Sequence, residues 1–230
     1  MIKDELIQRS PVRAFEKAIS GGLSAGELGI ICSPPGMGKT SVLVQIALDK
    51  LLQGKKIIHI SFTKHTDYVL VWYENIFNEF IKKKNVGNER ELKEELDRNR
   101  ILLKFNQEGV TSDVIRSSLK AMIVDGGFKA DAIIIDGFDF SIASQERIST
   151  FKEFIRELGI SVWYSCSVQN DYDKNRVPNV IKEFENCVDV VIVLEPKPDH
   201  VGFYVTKNRT KYVNVTEPLR LDPKTLLMLE

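Results

Sequence analysis

Short apolar runs and longer stretches of helical periodicity follow each other in turn along the chain. The apolar runs are rich in β-branched residues and predict strands that are covered on both faces. These strands are Leu28–Cys32, Lys56–Phe62, Ile101–Phe105, Ala132–Ile135, Ser161–Tyr164 and Asp189–Leu194. The helices predicted between and after them are Lys39–Gln53, Asp67–Lys83, Thr111–Val124, Gln145–Glu157 and Val180–Cys187. This order predicts an α/β fold with a mainly parallel sheet and helices on both faces.

Two regions depart from this alternation. Residues 82–100 carry charges of both signs, which is typical of a solvated helix with ion pairs between residues four apart. Nucleic-acid binding is the weaker alternative for this segment because acidic residues are interleaved with the basic ones. Val201–Lys207 and Lys211–Val215 predict an antiparallel C-terminal hairpin. We therefore expect one domain over residues 1–230, with a charged helical excursion near residues 82–100.

The strongest chemical signal lies between the first predicted strand and the first predicted helix. Residues 33–40 read Ser-Pro-Pro-Gly-Met-Gly-Lys-Thr, which is the phosphate-loop pattern G-x-x-x-x-G-K-[ST] (Walker A) with Ser33 in place of the leading glycine. In such a loop, backbone N–H groups and the positive end of the following helix bind phosphates. The expected nucleotide-binding residues are Pro35, Gly36, Met37, Gly38, Lys39, Thr40 and Ser41. The strand–loop–helix setting disfavours the alternative, an ordinary Pro/Gly turn.

Two side chains of this loop, and one farther along the chain, predict a metal–nucleotide site. Lys39 would reach the β- and γ-phosphates, which makes it a catalytic candidate, and the Thr40 hydroxyl would ligate Mg²⁺. Asp136 directly follows the apolar run Ala132–Ile135, at the end of a strand where ligands bind in parallel sheets. We expect Asp136 to be the second protein ligand of Mg²⁺, rather than merely the start of a turn. Asp139 is expected to be a loop or cap residue.

Glycine-rich segments before the loop add a family resemblance. Gly21-Gly22-Leu23 and Gly26-Glu27-Leu28, followed by the Walker A loop and by Asp136 as the Walker B acid, resemble the RecA-like P-loop ATPases. The similarity is greatest to the branch that contains KaiC, the RadA recombination proteins and the DnaB-type helicases. It covers nearly the whole chain in order and spacing, although only the Walker segments are specific. The resemblance implies ATP and Mg²⁺ as cofactors and a homo-oligomer, such as a hexameric ring or a filament.

The resemblance also implies roles for residues outside the loop. In these relatives, a Lys-x-Arg on the late hairpin projects into the nucleotide site of the neighbouring subunit, and Lys207 and Arg209 match it as catalytic residues acting in trans. Arginine fingers of this kind contribute roughly 10³ to 10⁵ in rate. The alternative is a hairpin tip with two solvated cations.

A polar residue at the end of the fourth core strand senses the γ-phosphate in these relatives. Ser165, Ser167 and Gln169 are the candidates here. Gln169 is the catalytic candidate that we prefer, because an amide can both donate and accept a hydrogen bond.

One departure from the family affects the expected activity. The family places a catalytic Glu just past its second core strand, whereas Thr63 stands at that position here and residues 60–65 contain no carboxylate. His65 is a candidate proton acceptor, but a polar residue before a helix is the simpler interpretation. We therefore predict an ATP-binding protein with weak or regulatory hydrolysis. An active oligomeric ATPase acting on protein or DNA stays open, and a small-molecule kinase is disfavoured because no Arg-rich lid is visible.

The charge balance gives no support to DNA as a partner. Lys plus Arg and Asp plus Glu both number 32, so the chain has no net positive charge to attract phosphates. The loop at residues 170–179 matches a DNA-binding stretch of recombinases. In it, two basic residues, Lys174 and Arg176, are balanced by Asp171 and Asp173. DNA contact therefore stays open without a positive argument.

Three features of the sequence predict the cellular location. The run Val188–Leu194 is far shorter than the roughly 18 to 20 residues that span a bilayer, so we expect no membrane partner. The first residues are too acidic and polar for a secretory signal. The three cysteines lack metal-type spacing, and Cys32 and Cys166 lie in strand-like runs, where we expect them to be apolar core residues. We expect a cytoplasmic protein.

Overall fold

The computed structural model describes residues 2–8, 10–62, 66–82, 88–106, 112–169, 171–213 and 219–229. Within these ranges the α-helices are α1 (Ile2–Gln8), α2 (Val12–Ala18), α3 (Lys39–Leu52), α4 (Thr66–Lys82), α5 (Glu89–Arg98), α6 (Ser112–Lys120) and α7 (Gln145–Glu157). The strands are β1 (Leu28–Ser33), β2 (Ile57–Ser61), β3 (Arg100–Lys104), β4 (Ala132–Asp136), β5 (Ser161–Ser167), β6 (Val190–Pro196), β7 (Val201–Asn208), β8 (Lys211–Tyr212) and β9 (Leu219–Leu221). A π-helical turn follows α6 at Ala121–Asp125, and 3₁₀ segments lie at Phe140–Ile142 and Asn179–Cys187.

The described strands form one sheet in the order β3-β2-β4-β5-β1-β6-β7-β8, with β9 paired to β7. The first six strands of the chain run parallel to one another. β7 is antiparallel to β6, and β8 and β9 are antiparallel to β7. The prediction of an α/β fold with a mainly parallel sheet and C-terminal antiparallel strands is thus confirmed.

Hydrophobic cores lie on both faces of this sheet, which explains the continuous apolar runs of its strands. In β4, Ala132 and Ile134 join the core under α3 and α4, while Ile133 and Ile135 join the core under α6 and α7. Cys32 and Cys166, which pair in register on β1 and β5, are buried in the second core, as expected. No helix in the described ranges is both long and apolar enough to cross a membrane.

Polar residues extend several strands beyond their predicted ends. β5 continues to Ser167, three residues past the predicted end at Tyr164, because its last residues pair with Ile31–Ser33 of β1. β4 likewise includes Asp136. Hydrogen bonding to a neighbouring strand sets these ends, and apolar periodicity does not reveal it.

Other differences concern the ends of the chain and the charged segment. The hydrophobic pattern did not predict α1, α2 or β9, which are short and depend on contacts with the rest of the fold. The charged excursion contains α5, a solvated helix on which Leu96 is buried. Three predicted elements include a residue that lies outside the described ranges: Lys83 and Thr111 at helix ends, and Val215 at a strand end.

Candidate functional site

The carboxyl ends of β1, β4 and β5 meet at one edge of the sheet. Ser33 is the last residue of β1 and pairs with Ser167 of β5, while Asp136 is the last residue of β4. Residues 33–39 connect β1 to α3 at this edge. Because parallel strands place their carboxyl ends together, residues from three distant parts of the sequence converge here.

Two glycines shape the backbone of this loop. Gly36 has φ 83° and Gly38 has φ 90°, a left-handed conformation that glycine adopts without steric cost. Gly38 is also the N-terminal cap of α3, so the left-handed turn directs the chain into the helix. Ser33 keeps a negative φ at the end of β1. The missing leading glycine therefore causes no backbone strain at position 33.

The Lys39 ammonium lies within the loop. Its Nζ donates hydrogen bonds to Ser33 O at 3.0 Å, to Ser33 Oγ at 3.2 Å and to Pro34 O at 3.1 Å. Burial lowers the pKa of Lys39, and the nearby Asp136 carboxylate counteracts this effect. The serine at position 33 thus supplies a side-chain acceptor for Lys39 that a glycine would lack.

Two hydroxyl groups orient the carboxylate of Asp136, which is 2% exposed. Thr40 Oγ1 donates to Asp136 Oδ2 at 2.8 Å, and Ser165 Oγ donates to Asp136 Oδ1 at 2.6 Å. Ser165 also accepts a hydrogen bond from the N–H of Gly137 at 2.8 Å. Ser165 therefore determines the orientation of the carboxylate and of the turn that follows it.

The donor set at Asp136 fits a hard divalent cation. It consists of a carboxylate oxygen and a hydroxyl oxygen 2.8 Å apart, and Mg²⁺ typically takes one or two carboxylates and completes its shell with phosphates and water. In the described part of the chain, no group of three or more His, Cys, Asp or Glu residues is arranged to bind a metal. These residues therefore fit a metal that arrives with phosphate, rather than one held by protein side chains alone.

The remaining residues predicted at this edge have different environments. Pro35 and Gly36 are exposed, and Met37 is half-buried. Ser41 is buried and its Oγ donates to Leu226 O at 2.9 Å, so its side chain faces away from the loop interior. Gln169 is exposed and follows Val168, whose N–H donates to Ser33 O at 3.1 Å.

Asp139 and residues 63–65 follow the carboxyl ends of β4 and β2. Asp139 accepts hydrogen bonds from both N and Oγ of Ser141, which confirms it as a cap residue. Thr63, Lys64 and His65 lie outside the described residues. Phe62, just before them, donates its N–H to Asp136 O at 2.9 Å.

The structure does not bring Lys207 and Arg209 to the phosphate loop of their own chain. Asn208 pairs with Val190, and Val190 occupies the register position beside Gly29 at the amino end of β1. The loop begins at Ser33, the other end of β1, which is about 13 Å from Gly29 at the rise of a parallel strand. An action of these cations on a nucleotide in trans stays a prediction.

Within its own chain, Lys207 binds backbone carbonyl oxygens. Lys207 is 8% exposed, and its Nζ donates to Glu185 O and Val188 O, both at 2.6 Å. Burial lowers the pKa of Lys207, and the nearby carboxylates of Glu185 and Asp189 counteract this effect. Lys207 is therefore a buried structural cation in this conformation.

Arg209 clamps the glycine-rich segment that precedes β1. Its Nε and Nη2 donate to the two carboxylate oxygens of Glu27, both at 2.9 Å. Its Nη1 donates to Ile19 O at 2.8 Å, and Nη2 also donates to Gly22 O at 3.0 Å. The two sequence signals that resemble the family, Gly-Gly-Leu/Gly-Glu-Leu and Lys-Asn-Arg, thus contact each other at the amino edge of the sheet.

A buried histidine lies on β2, beside the strand that carries Asp136. His59 is fully buried; its Nδ1 lies 3.0 Å from Tyr73 Oη, and its Nε2 has no hydrogen-bond partner among the described residues. Burial lowers the pKa of His59 to about 4, although the Asp136 carboxylate counteracts and Arg100 reinforces this effect. The imidazole is therefore neutral at neutral pH.

Sequence reasoning missed the contributions of Ser33 and Ser165 to the binding of Lys39 and Asp136. Ser33 was visible only as a departure from the phosphate-loop pattern. Ser165 was considered as a phosphate sensor, and its contact with Asp136 depends on the pairing of β4 with β5. A serine near the end of a predicted strand was the only signal in the sequence.

Comparisons with known proteins give one partial similarity. No protein-family model matches the chain. Over 48 residues the chain is 38% identical to the DNA repair protein RadA of Aquifex aeolicus (strain VF5). This stretch spans 21% of the chain and 11% of the length of RadA. RadA belongs to the branch that the sequence motifs resemble, and the similarity is consistent with a RecA-like relationship without identifying a branch.

The Arg209 clamp predicts a stability effect that needs no second subunit. Replacing Arg209 with Ala leaves the partly buried Glu27 carboxylate without its cation, so we expect the free energy of unfolding to fall by about 1–3 kcal/mol. Urea denaturation of the monomeric protein measures this change. Lys211→Ala, an exposed cation on the same hairpin, is the matched control. A loss below about 0.5 kcal/mol for Arg209→Ala would contradict the clamp.

His59 predicts a pH dependence of stability. Its folded pKa of about 4 is below the ordinary histidine value of 6.5, so its stabilising contribution is lost as the pH falls from about 6.5 to about 4. The size of this contribution is at most about 3 kcal/mol. We expect His59→Gln to flatten the curve of unfolding free energy against pH in this window. An unchanged slope for His59→Gln between about pH 6.5 and about pH 4 would refute the assignment.

Proposed function

We propose that the protein binds ATP together with Mg²⁺ through the residue 33–40 loop and Asp136, and that it hydrolyses ATP weakly or under regulation. The 2.8 Å hydrogen bond between Thr40 Oγ1 and Asp136 Oδ2 is the observation that carries this proposal. It brings the hydroxyl of the loop and the carboxylate at the end of β4 to one point, although 96 residues separate them in the sequence. This is the donor pair that Mg²⁺–nucleotide binding requires.

The loop has the groups that bind phosphate. Its left-handed glycines turn the backbone, and α3 begins directly after Gly38, so the positive end of the helix points to the loop. Phosphate oxygens would replace the backbone carbonyls that now accept from Lys39 Nζ. Bound Mg²⁺ would neutralise charge on the β- and γ-phosphates, with Thr40 and Asp136 as its protein ligands.

Weak hydrolysis is supported because the groups that would assist the attack of water are either missing from residues 60–65 or bound within the chain. Residues 60–65 contain no carboxylate to polarise a water molecule, and Lys207 and Arg209 are bound within their own chain. Before Arg209 could act on the nucleotide of a neighbouring subunit, its hydrogen bonds to Glu27 would have to break. The proposal also includes one RecA-like domain over residues 1–230, a cytoplasmic location and a homo-oligomer, as the resemblance implies.

The name of the DNA repair protein RadA indicates that RadA acts on DNA. The residues of this chain offer little support for DNA as a partner. In the loop after β5, Arg176 forms an ion pair with Glu195 and lies over the ring of Tyr204, 4.0 Å from its centroid. Asp173 forms an ion pair with Lys182. Arg176 is thus paired within the chain, and phosphate-backbone binding needs a net cationic surface.

Nucleotide binding is tested by replacing Lys39 with Ala. Losing one charge-assisted contact with phosphate should weaken ATP–Mg²⁺ binding about 10- to 100-fold in calorimetry. Lys17→Ala, which replaces an exposed lysine on α2, should bind as the unmodified protein does.

Turnover and molecular mass measured on the same sample should give a rate well below about 1 per second in every oligomeric state. A rate near that value that Lys39→Ala abolishes would establish the active alternative.

The orientation of Asp136 predicts a specific metal effect. Ser165→Ala removes the hydrogen bond to Asp136 Oδ1, so we expect the Mg²⁺ concentration needed for half-maximal ATP binding to rise several-fold. ATP binding measured in EDTA should change little, because Ser165 does not contact the loop lysine. Ser161→Ala is the matched control, since Ser161 is buried at the opposite end of the same strand. Equal Mg²⁺ titrations for the two variants would contradict the role of Ser165.

A further inference from the structure

We propose that residues 222–228, which we call the strap, keep the phosphate loop in its nucleotide-binding shape, and that Gln45 of α3 is the positioning residue that attaches the strap. This inference rests on the proposed nucleotide binding. One part of its test uses the protein without nucleotide, so the two proposals can fail separately.

The strap begins at the sheet edge that carries the phosphate loop. Leu221, the last residue of β9, pairs with Val201 at the start of β7. Val201 in turn pairs with Pro196, the carboxyl end of β6. Since β6 is parallel to β1, the chain that leaves β9 at Leu221 does so at the carboxyl ends of the parallel strands.

A buried amide attaches the strap to α3. Gln45 is 0% exposed; its Nε2 donates to Leu226 O at 3.0 Å and its Oε1 accepts from the N–H of Met228 at 2.9 Å. Ser41, one turn earlier on the helix, adds a bond from its Oγ to the same Leu226 carbonyl at 2.9 Å. A glutamine that uses both ends of its amide in this way satisfies two buried backbone groups of the strap at once.

The strap also packs against the loop itself. Leu226 lies beside Gly38: a Cβ placed on Gly38 would be 3.3 Å from Leu226 Cδ2. Leu226 has φ 56°, a conformation that a branched residue rarely adopts. Its N–H donates to Asp222 O at 2.8 Å, and Asp222 Oδ1 accepts from the N–H groups of Lys224 and Thr225. The turn is thus built to present Leu226 to the glycine that caps α3.

These contacts connect strap and phosphate binding because the loop binds phosphate mainly through its backbone. The left-handed Gly38 and the first turn of α3 set the direction of the N–H groups, and the strap contacts both. If docking of the strap favours the binding-competent loop, bound nucleotide must favour docking by the same factor. The strap would then report nucleotide binding to whatever contacts it.

The first experiment replaces Gln45 with Leu and measures both ATP–Mg²⁺ affinity and amide hydrogen exchange. We expect affinity to fall at least about 10-fold. In the protein without nucleotide, we expect faster exchange of the Val42 N–H, which donates to Gly38 O at 3.0 Å. Gln53→Leu is the matched control: it removes the same amide group from the far end of α3, where Gln53 Nε2 donates to Asp49 at 2.6 Å. It should change neither quantity.

A second variant covers the case in which Gln45→Leu does not fold. Leu226→Gly keeps the carbonyl that accepts from Gln45, suits a positive φ, and removes the side chain that packs against Gly38 and the neighbouring core. It should also weaken ATP–Mg²⁺ binding, and ATP–Mg²⁺ added to the unmodified protein should slow exchange of the Leu226 N–H. The proposed role of the strap would be overturned by an unchanged affinity in both variants, or by unchanged exchange of the Val42 N–H without nucleotide. If the unmodified protein binds no nucleotide, the proposed function fails while the Val42 measurement still decides the mechanical link.

Discussion

Helices cover both faces of the sheet, so a polar side chain in a central strand can be solvated or bind a ligand only near the end of that strand. β1 shows this constraint directly, because Leu28 to Cys32 are apolar or glycine and its final residue is Ser33. Asp136 and Ser165 occupy the corresponding ends of β4 and β5. Burial of the sheet therefore concentrates the polar chemistry of this protein at its two edges.

The two edges differ in the kind of polar contact that they carry. At the carboxyl edge, Thr40 and Ser165 donate to a single carboxylate, and Lys39 binds backbone carbonyls that phosphate oxygens can replace. At the amino edge, Arg209 binds Glu27 and three carbonyl or amide oxygens of the same chain. The first arrangement suits a ligand, whereas the second joins segments of the same chain to each other.

The phosphate loop connects these contacts to more distant parts of the chain. Its glycines impose the turn, Ser33 and Asp136 surround its lysine and threonine, and the strap contacts its last glycine. A loop that binds through backbone N–H groups is sensitive to small shifts of each of these neighbours. The proposed weak hydrolysis and the proposed strap both follow from this position at the junction of β1, α3 and residues 222–228.

The sequence by itself determined the strands except β9, the main helices, and the loop at residues 33–40 and Asp136 as the candidate site, because hydrophobic periodicity and the glycine–lysine–threonine spacing are local properties. It could not determine that Ser165 orients Asp136, that Gln45 binds residues 181 and 183 positions away, or that Arg209 binds Glu27. Each of these contacts joins residues far apart in the chain. Only the tertiary structure decided them, because strand order and register fix which polar side chains meet.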